Sequence, residues 1–382
     1  MRVIFAASSL PHGGAERHAI ALMNRLAERG HECHAVSIKE SACQPDRVPP
    51  PAGGTVTSLD AARYLDARAV RDFAARISRV APIAIVAANP YALMYSWLAA
   101  RWSGVRTRLA VTFHTTLLQS AKEELQMLYY RPFFWAADFL VFLCERQRRH
   151  WLRRGVFSRR NEVIHNGVDT DVFRDRWSPG ERAELRRLLG FSDNDFVIGT
   201  AAWLRPEKNH VQLADAVAVL RNKGIPARAL LVGEGEMRGA VEARARALGV
   251  GGKVTITGFQ RDVRPFIGAC DAVALCSLTE TFSLAAIEAM ALRRPVVHSD
   301  VGGAAEMIVP GENGFLFPVG DTRAFVDRLA ILANPGVARR MGGNARALVE
   351  SRFSEKTMVD RYEQMLLALC GADPCTAPAL TH

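Results

Sequence analysis

Short apolar runs alternate along the whole chain with longer stretches whose apolar residues recur at helical spacing. This alternation predicts βαβ units along the 382 residues, because two parallel strands must be joined by a crossover connection, usually a helix. The predicted strands lie at 3–6, 35–38, 83–86, 109–112, 139–142, 163–164, 196–198, 229–232, 254–256, 272–275, 296–297 and 315–317. The pattern therefore predicts an α/β protein made of two doubly wound, Rossmann-like domains in tandem.

A polar stretch at 165–180 separates the two sets of strands. The predicted N-terminal domain covers 1–172 and the second domain 173–353, while a C-terminal helix at 354–370 packs back on the first domain and 371–382 forms a loose tail. Open α/β sheets bind ligands beyond the carboxyl ends of their strands. We therefore expect functional residues in loops after strands, facing a cleft between the two domains.

The stretch 80–100 is uncharged and long enough to span a bilayer, but Asn89-Pro90 interrupts it, so a strand followed by a helix fits better. The N-terminus lacks an apolar stretch that ends in a small-residue cleavage site, so we expect no signal peptide. Seven scattered cysteines without a CxxC pair argue against a disulfide framework and a zinc site. These features favour a reducing, cytoplasmic compartment.

The segment 277–290 carries the most chemical information. Glu280 follows a predicted strand, and Glu288 comes eight positions later on a helix that begins near Ser283. Free backbone amides at a helix N-terminus form an anion site of the kind that holds a diphosphate. The two carboxylates can accept hydrogen bonds from hydroxyls on either side of that diphosphate, as in a nucleotide sugar. Taken alone, the segment also fits a capped helix with two solvated glutamates.

The E-x7-E pattern, followed by A-M and then P-V-V, resembles the retaining glycosyltransferases of family 4, which have the GT-B fold. Further matches follow in family order from residue 3 to about 362, at Gly13-Gly14-Ala15-Glu16-Arg17-His18, Thr112-Phe113-His114, 163–169, Pro206-Glu207-Lys208-Asn209, 232–235, 258–259 and 301–306. Each short motif is weak by itself, but their ordered set is specific. The resemblance implies a GT-B fold with the two domains facing a cleft.

The resemblance also implies which groups bind the donor. Glu288 would bind the ribose hydroxyls and Glu280 the sugar hydroxyls. The backbone amides of Phe282, Ser283 and Leu284 would hold the diphosphate.

Lys208 would neutralise the departing diphosphate in this scheme, although such a lysine could otherwise be an ordinary surface residue. The family usually has an arginine five residues earlier, where this chain has Trp203, so Arg205 is expected to supply the second charge. Ser283 stands where the family often has glycine, and Arg293-Arg294 stand where a helix-ending glycine is usual. Neither change removes an expected catalytic group.

The N-terminal half carries a second set of candidate residues. His114 ends a predicted strand, and the family's T-x-H histidine contacts the sugar near its anomeric centre, so His114 is expected to position the sugar. Without the resemblance it would be an ordinary polar residue at a strand end. Gly13 and Gly14 let their loop approach phosphate closely, although they also fit an ordinary turn. Glu16 and His18 are expected on the acceptor side.

The resemblance implies transfer of a hexose-type sugar, with retention of configuration, from a nucleotide diphosphate sugar to a hydroxyl on a glycan or lipid-linked acceptor. Bacterial polysaccharide, lipopolysaccharide or glycolipid assembly is the expected setting, and we favour UDP over GDP. No Asp-x-Asp motif in the sequence emerges as a clamp for a metal-bound diphosphate. The helix N-terminus and Lys208 can instead supply the positive potential that the diphosphate needs. We therefore expect no cofactor and no metal requirement.

The positive charge is concentrated in residues 1–175, which hold 24 basic and 16 acidic residues. Seven arginines fall within 146–160, interleaved with aromatic and aliphatic residues, and an aromatic run at 127–135 precedes them. This composition suits a protein resting on an anionic bilayer, here the inner face of the cytoplasmic membrane. A solvated helix beside a buried aromatic core would give the same pattern.

Three other functions were compared with glycosyl transfer. A nicotinamide oxidoreductase needs G-x-G-x-x-G after its first strand, which Gly13-Gly14 does not provide. A nucleotide-sugar epimerase of GT-B fold would bind the same donor, but the context of Glu280 and Glu288 favours transfer. A nucleic-acid-binding protein would explain the net charge of +10, yet it leaves both glutamates unexplained. No nucleic acid partner is expected.

Overall fold

The structure, a computed structural model, describes residues 1–9, 14–39, 54–115, 121–369 and 371, with only the backbone described at 14–17 and 121–122. The contacts divide the chain into two compact units. The N-terminal unit comprises residues 1–166 together with those from 358 onward, and the second unit comprises 167–357. The predicted boundaries at 172 and 353 lie within a few residues of these divisions.

The N-terminal unit is built on a parallel sheet. Its strands are β1 (Arg2–Ala7), β2 (Glu32–Ser37), β3 (Val56–Ser58), β4 (Ala84–Ala88), β5 (Arg108–Phe113), β6 (Phe139–Phe142) and β7 (Arg160–Val163). Its helices are α1 (Gly14–Glu28), α2 (Ala67–Val80), α3 (Asn89–Ser103), α4 (Ala121–Ala136) and α5 (Glu145–Leu152). The strand order is β3-β2-β1-β4-β5-β6-β7, so the order reverses between β1 and β4.

The second unit repeats this plan. Its strands are β8 (Phe196–Ala201), β9 (Ala227–Val232), β10 (Val254–Ile256), β11 (Ala272–Leu275), β12 (Val296–Ser299) and β13 (Gly314–Phe317). Its helices are α6 (Pro179–Leu188), α7 (Val211–Asn222), α8 (Arg238–Ala247), α9 (Arg264–Gly268), α10 (Leu284–Ala291), α11 (Ala304–Met307), α12 (Thr322–Leu332) and α13 (Pro335–Arg352). The order β10-β9-β8-β11-β12-β13 reverses between β8 and β11.

Alternating residues of the strands face two separate cores in the N-terminal unit, because successive side chains of a strand point to opposite faces. Ile4 of β1 packs with α2, α3 and α4, whereas Phe5 packs with α1. The last helix of the chain, α14 (Glu355–Leu369), completes the α1 face with buried side chains at Met358, Val359, Tyr362, Met365 and Leu366. Residues from the end of the described chain therefore form part of the core of the N-terminal unit.

Each strand predicted from an apolar run is present, with bounds that differ by at most a few residues. The strand β3 was not predicted, because Val56-Thr57-Ser58 is short and lacks an apolar run. The uncharged stretch 80–100 forms β4 followed by α3, as expected. None of the helices in the described part of the chain combines the length and the apolar character needed to cross a bilayer.

The C-terminus of α10 shows how the arginines replace the usual glycine. The Arg294 amide donates to the Ala289 carbonyl at 2.9 Å and the Arg293 amide donates to the Met290 carbonyl at 3.0 Å, which is the Schellman pattern. Arg293 has a φ of 59°, in the left-handed region that glycine favours. Arg294 points inward and pairs with Asp175 at 3.0 Å, both side chains being largely buried.

These neighbouring arginines give a matched pair of predictions. We expect Arg293→Gly to raise the free energy of unfolding of the second unit by about 1 kcal/mol, because it removes left-handed strain at an exposed position. Loss of a buried ion-pair partner costs about 3 to 5 kcal/mol when the remaining charge is left unpaired. We expect Arg294→Gly to lower the free energy of unfolding by about 2 to 3 kcal/mol, because Asp175 loses Arg294 but keeps Arg182 at 3.3 Å. Denaturant titration measures both. Loss of stability in Arg293→Gly would contradict the analysis of this helix end.

Candidate active site

The loops after β8 and β11 meet at the point where the strand order of the second sheet reverses, which is where doubly wound sheets bind ligands. A short 3₁₀ turn, Pro206–Lys208, follows β8, and Glu280 lies in the loop after β11. The Leu278 amide donates to the Glu207 carbonyl at 2.8 Å and joins the two loops. The parallel sheet thus brings Lys208 and Glu280 to the same edge.

Lys208 and Glu280 form an ion pair, in which the lysine Nζ donates to the glutamate Oε1. The Ser277 hydroxyl donates to the same carboxylate oxygen at 3.2 Å. The lysine side chain is 25% exposed and the glutamate side chain 16%, so a ligand can still reach both. The structure therefore joins two residues that the sequence assigned to one site, although the prediction did not include their direct contact.

The helix α10 begins where it was predicted to begin. Ser283 is its N-cap, with its hydroxyl accepting from the Ala286 amide at 3.4 Å, and Leu284 is the first helical residue. The side chain of Phe282 is buried against Phe353, with ring centroids 5.5 Å apart. The ring of Phe282 is therefore not exposed to a ligand, and the role of its backbone amide stays a prediction. Glu288 lies half-buried on the second turn of α10.

The loop that carries Glu280 is held by backbone packing. Gly302 has a φ of 52°, and a Cβ there would lie only 2.2 Å from the Glu280 carbonyl oxygen. The Gly303 amide donates to the Thr281 carbonyl at 2.8 Å. Any side chain at position 302 would displace the Glu280 loop. Gly302 of the 301–306 motif therefore allows this close backbone packing.

Two buried histidines beside this pair were not predicted. His298, at the carboxyl end of β12, is fully buried, and burial lowers its pKa while the Glu280 carboxylate opposes that shift. Burial and, to a smaller extent, the nearby Lys208 charge lower the pKa of His210 to about 4. Both imidazoles are therefore neutral at neutral pH. The position of His298 at a strand end was a usable signal that the sequence analysis did not weigh.

Arg205 has an exposed side chain that lies beside Glu207. Its side chain is 59% exposed and its guanidinium lies 4.0 Å from the Glu207 carboxylate. Trp203, which occupies the family's arginine position, is also exposed. The role of Arg205 as a second positive charge for the diphosphate stays a prediction.

The N-terminal unit brings both of its predicted histidines together. The rings of His18 on α1 and His114 after β5 contact edge to face, with centroids 5.3 Å apart. The Tyr362 hydroxyl lies 3.1 Å from His18 Nε2 and 3.1 Å from the Thr112 hydroxyl. The His114 amide donates to the Asn89 side chain at 3.1 Å. A small cavity beside these rings is lined by Phe5, His18, Ala19, Leu22, Val86, Ala88, Thr112 and His114.

Tyr362 and Asn89 are the site residues that the sequence analysis missed in this unit. Tyr362 is far from His18 in sequence, so no local pattern could join them. Asn89 has a φ of 71°, a left-handed conformation that asparagine tolerates better than most residues. Its position in an Asn-Pro pair after β4 was visible in the sequence. The predicted residue Gly13 lies outside the described residues, Gly14 begins α1, and the side chain of Glu16 is not described.

The described residues contain no cluster of three or more histidine, cysteine, aspartate or glutamate side chains arranged to hold a metal ion. The candidate site of the second unit brings together the Lys208–Glu280 pair, the α10 N-terminus and the neutral imidazoles of His210 and His298. Those groups suit an anionic ligand that also carries hydroxyls.

Comparison with known proteins identifies the family. The model of Glycosyltransferase Family 4 matches residues 12–172, and the model of Glycosyl transferases group 1 matches residues 181–348. The chain belongs to glycosyltransferase family 4. The predicted family is confirmed.

Two relatives illustrate the range of similarity. EpsD of Bacillus subtilis (strain 168) is 32% identical over 252 residues, which cover 65% of this chain and 66% of that protein. The UDP-Gal:alpha-D-GlcNAc-diphosphoundecaprenol alpha-1,3-galactosyltransferase of Escherichia coli is 26% identical over 208 residues, which cover 54% of this chain and 53% of that protein. The chain thus matches between about half and two thirds of the length of these relatives.

HepE of Anabaena, solved in complex with UDP, is similar to this family 4 chain over most of its length. The TM-score is 0.83 and the identity 23%, with 96% of this chain and 100% of HepE covered. HepE has also been solved in complex with UDP-glucose. Together with the two parallel α/β sheets, this likeness confirms the predicted GT-B fold class.

The buried histidine pair of this family 4 chain predicts a pH dependence of stability. Burial lowers the pKa of His18 to about 4 from an ordinary value of 6.5, and burial holds the pKa of His114 well below its ordinary value. Between pH 6.5 and about 4 the unfolded chain binds more protons at His18 than the folded chain does, so stability falls as the pH falls.

We expect the His18 contribution to amount to about 3 kcal/mol at most, and to be lost over this window. Denaturant midpoints measured for wild type and His18→Gln should therefore converge or cross as the pH is lowered. A constant separation between the two curves would show that His18 is not buried as a neutral imidazole.

Proposed function

We propose that this family 4 chain transfers a hexose-type sugar from a nucleotide diphosphate sugar to a hydroxyl acceptor, with retention of anomeric configuration. The observation that carries the proposal is the pairing of Lys208 with Glu280 beside the N-terminus of α10. These groups offer a cation, a hydrogen-bond-accepting carboxylate and helix-end amides in one place. A sugar diphosphate has negative phosphates for the cation and the amides, and hydroxyls for the carboxylate.

Donor binding would exchange the partners of the ion pair. A sugar hydroxyl would donate to Glu280, and the diphosphate would take over the ammonium of Lys208 and the amides of Phe282, Ser283 and Leu284. Positive charge at this position stabilises the negative charge that develops on the leaving diphosphate. Ribose hydroxyls would donate to Glu288, on the second turn of α10.

The base of the donor is proposed to be uracil. The support is that HepE, similar in fold, has been solved with UDP and with UDP-glucose, and that the Escherichia coli relative is named for a UDP-Gal donor. We favour UDP over GDP on this basis. A thermal-shift comparison of UDP, GDP and ADP tests the choice, since the preferred nucleotide should stabilise the protein most.

The N-terminal unit is proposed to take the acceptor side, with Glu16 and His18 near the acceptor and His114 near the transferred sugar. Positive charge develops on a sugar ring as its glycosidic bond breaks. The pKa of His114 is held low by burial and by His18, so its ring is a neutral hydrogen-bonding group that does not oppose that charge.

The acceptor is proposed to be a glycan or a lipid-linked glycan of bacterial polysaccharide, lipopolysaccharide or glycolipid assembly. The Escherichia coli relative is named for a diphosphoundecaprenol-linked acceptor. A cytoplasmic protein held peripherally on the inner face of the membrane would meet such an acceptor, and the arginine-rich segment 146–160 suits that position.

Removal of a donor-binding group should lower kcat/KM strongly. We expect Lys208→Ala and Glu288→Ala each to reduce transfer by about 100-fold to 1000-fold, the usual loss when a charge-assisted contact to the transition state is deleted. Lys223→Ala, which breaks an exposed pair with Asp327, is the matched lysine control and should retain wild-type activity. Near-normal turnover in Lys208→Ala with an unchanged melting temperature would refute the donor-site assignment.

Transfer should not need a divalent cation. Lys208 and the α10 amides are proposed to supply the positive potential that a bound metal supplies in other transferases. We expect the rate to persist after dialysis against EDTA. Activity that disappears in EDTA and returns with Mn²⁺ or Mg²⁺ would require carboxylate ligands that this scheme does not contain.

A further inference from the structure

The helix α4 is apolar on two faces, which is unusual for a helix at a protein surface. Met127, Tyr130 and Phe134 are buried in the core of the N-terminal unit. Leu125, 68% exposed, lies on the opposite side with Leu128 and Trp135. Tyr129, 48% exposed, lies at the border of the two sides, and its hydroxyl donates to Met94 Sδ at 3.3 Å. These positions recur at helical spacing, so they form a continuous outward stripe.

The stripe continues beyond the end of α4. The Trp135 indole donates to the Gly155 carbonyl at 2.9 Å, and its ring lies 5.9 Å from the ring of Phe157, which is 45% exposed. We call Leu125, Leu128, Tyr129, Trp135 and Phe157 the α4 face. None of the described residues of the chain covers these side chains to less than 45% exposure.

A group of arginines borders the Trp135 end of the α4 face. The segment 145–160 contains seven arginines and one glutamate. That glutamate, Glu145, pairs with Arg148 at 3.0 Å and lies 4.0 Å from Arg149, which is itself 65% exposed. Arg153 and Arg154 are also exposed. Asp138 lies 3.5 Å from Arg159. These two carboxylates are too few to neutralise seven arginines, so the border of the α4 face is positive.

We propose that the α4 face docks on an anionic lipid bilayer. Its leucine, tyrosine and tryptophan side chains would enter the headgroup region, where amphipathic rings are favoured, while the arginines contact lipid phosphates. The acidic residues of α4, Glu123 and Glu124, lie in its first turn, at the end away from Trp135. The negative end of α4 is thus far from the arginines, and we expect the helix to tilt so that its Trp135 end meets the bilayer first.

The charge distribution favours a bilayer over a second copy of this chain. Two copies joined through the same face would bring one arginine group against the other, and like charges at close range oppose association. A bilayer presents a continuous negative surface that can meet all the arginines at once. The inference deepens the proposed function by naming the surface that meets a lipid-linked acceptor, and it rests on that function only for the acceptor's identity.

Cosedimentation with vesicles tests the α4 face directly. The wild-type chain should bind vesicles that mix phosphatidylcholine with phosphatidylglycerol, should bind poorly to phosphatidylcholine alone, and should lose binding as salt rises. We expect Leu125→Ser with Leu128→Ser to reduce the partition coefficient by about tenfold. The control Leu188→Ser, at a leucine 70% exposed on α6, should bind as wild type does.

The arginines have a matched control of their own. Each arginine near an anionic surface is worth about fivefold in partitioning, so Arg149→Gln with Arg153→Gln should reduce binding by about 25-fold. Arg339→Gln with Arg340→Gln, two exposed arginines of α13, should leave binding unchanged. Equal losses of vesicle binding in the two double variants would show that binding depends only on the net charge of the protein, and would overturn the assignment to the α4 face.

Quenching by brominated lipid reports the depth of Trp135. Vesicle-dependent quenching of tryptophan fluorescence should fall in Trp135→Phe and persist in Trp203→Phe, whose tryptophan is 55% exposed in the second unit. Unchanged quenching in Trp135→Phe, or no vesicle binding by the wild type at low salt, would overturn the proposal. So would a wild-type dimer that Leu125→Ser with Leu128→Ser converts to a monomer.

The two proposals can fail separately. Vesicle binding needs no donor, so a protein that binds vesicles through α4 but transfers no sugar retains the docking surface and loses the proposed function. Transfer to a soluble acceptor analogue should be unchanged in Leu125→Ser with Leu128→Ser, provided that the melting temperature matches that of the wild type.

Discussion

The ion pair between Lys208 and Glu280 exists because a parallel sheet must place the ends of β8 and β11 side by side. The strand order reverses between these two strands, so their following helices lie on different faces and the loops diverge from a shared edge. Lys208 lies in one loop and Glu280 in the other. The remainder of the second unit holds those loops in place, with Gly302 and Gly303 packed against the Glu280 segment.

The two units use one sheet plan for different electrostatic tasks. In the second unit a charged pair stands beside a helix N-terminus, which suits an anion. In the N-terminal unit His18 on α1 and His114 after β5 lie in contact, and burial keeps the pKa of each imidazole low. Neutral rings position hydroxyls without adding charge. The division agrees with the proposal that one unit binds the sugar diphosphate and the other the acceptor.

Patterns that are local in sequence predicted most of the fold and the start of the helix in the candidate site. Apolar runs marked the strands, and Glu280 and Glu288 marked the helix that begins after Ser283, because each feature lies within one segment. Tyr362 could not be predicted in this way, since its contact with His18 depends on α14 returning to the first core.

The features that the sequence analysis missed or could not explain each have a physical cause. The strand β3 gains its place by pairing with β2 rather than from its own composition, so a search for apolar runs missed it. Arg293 adopts a left-handed conformation where glycine was expected, because the Schellman hydrogen bonds and the buried partner of Arg294 hold the helix end. The outward apolar stripe of α4 was visible as composition, but its exposure required the structure.

Amide hydrogen exchange, measured with and without a UDP-sugar, tests the central claim most directly, because it reports on the α10 N-terminus itself. If this end of the helix holds the diphosphate, exchange should slow at the amides of Phe282, Ser283 and Leu284 and in the loop that carries Lys208. Helix α6 should be unaffected, because its Arg186 bonds to Asp195 and Asp271, which precede β8 and β11 at the opposite edge of the sheet. Binding of the UDP-sugar with unchanged exchange at those amides would contradict the assignment.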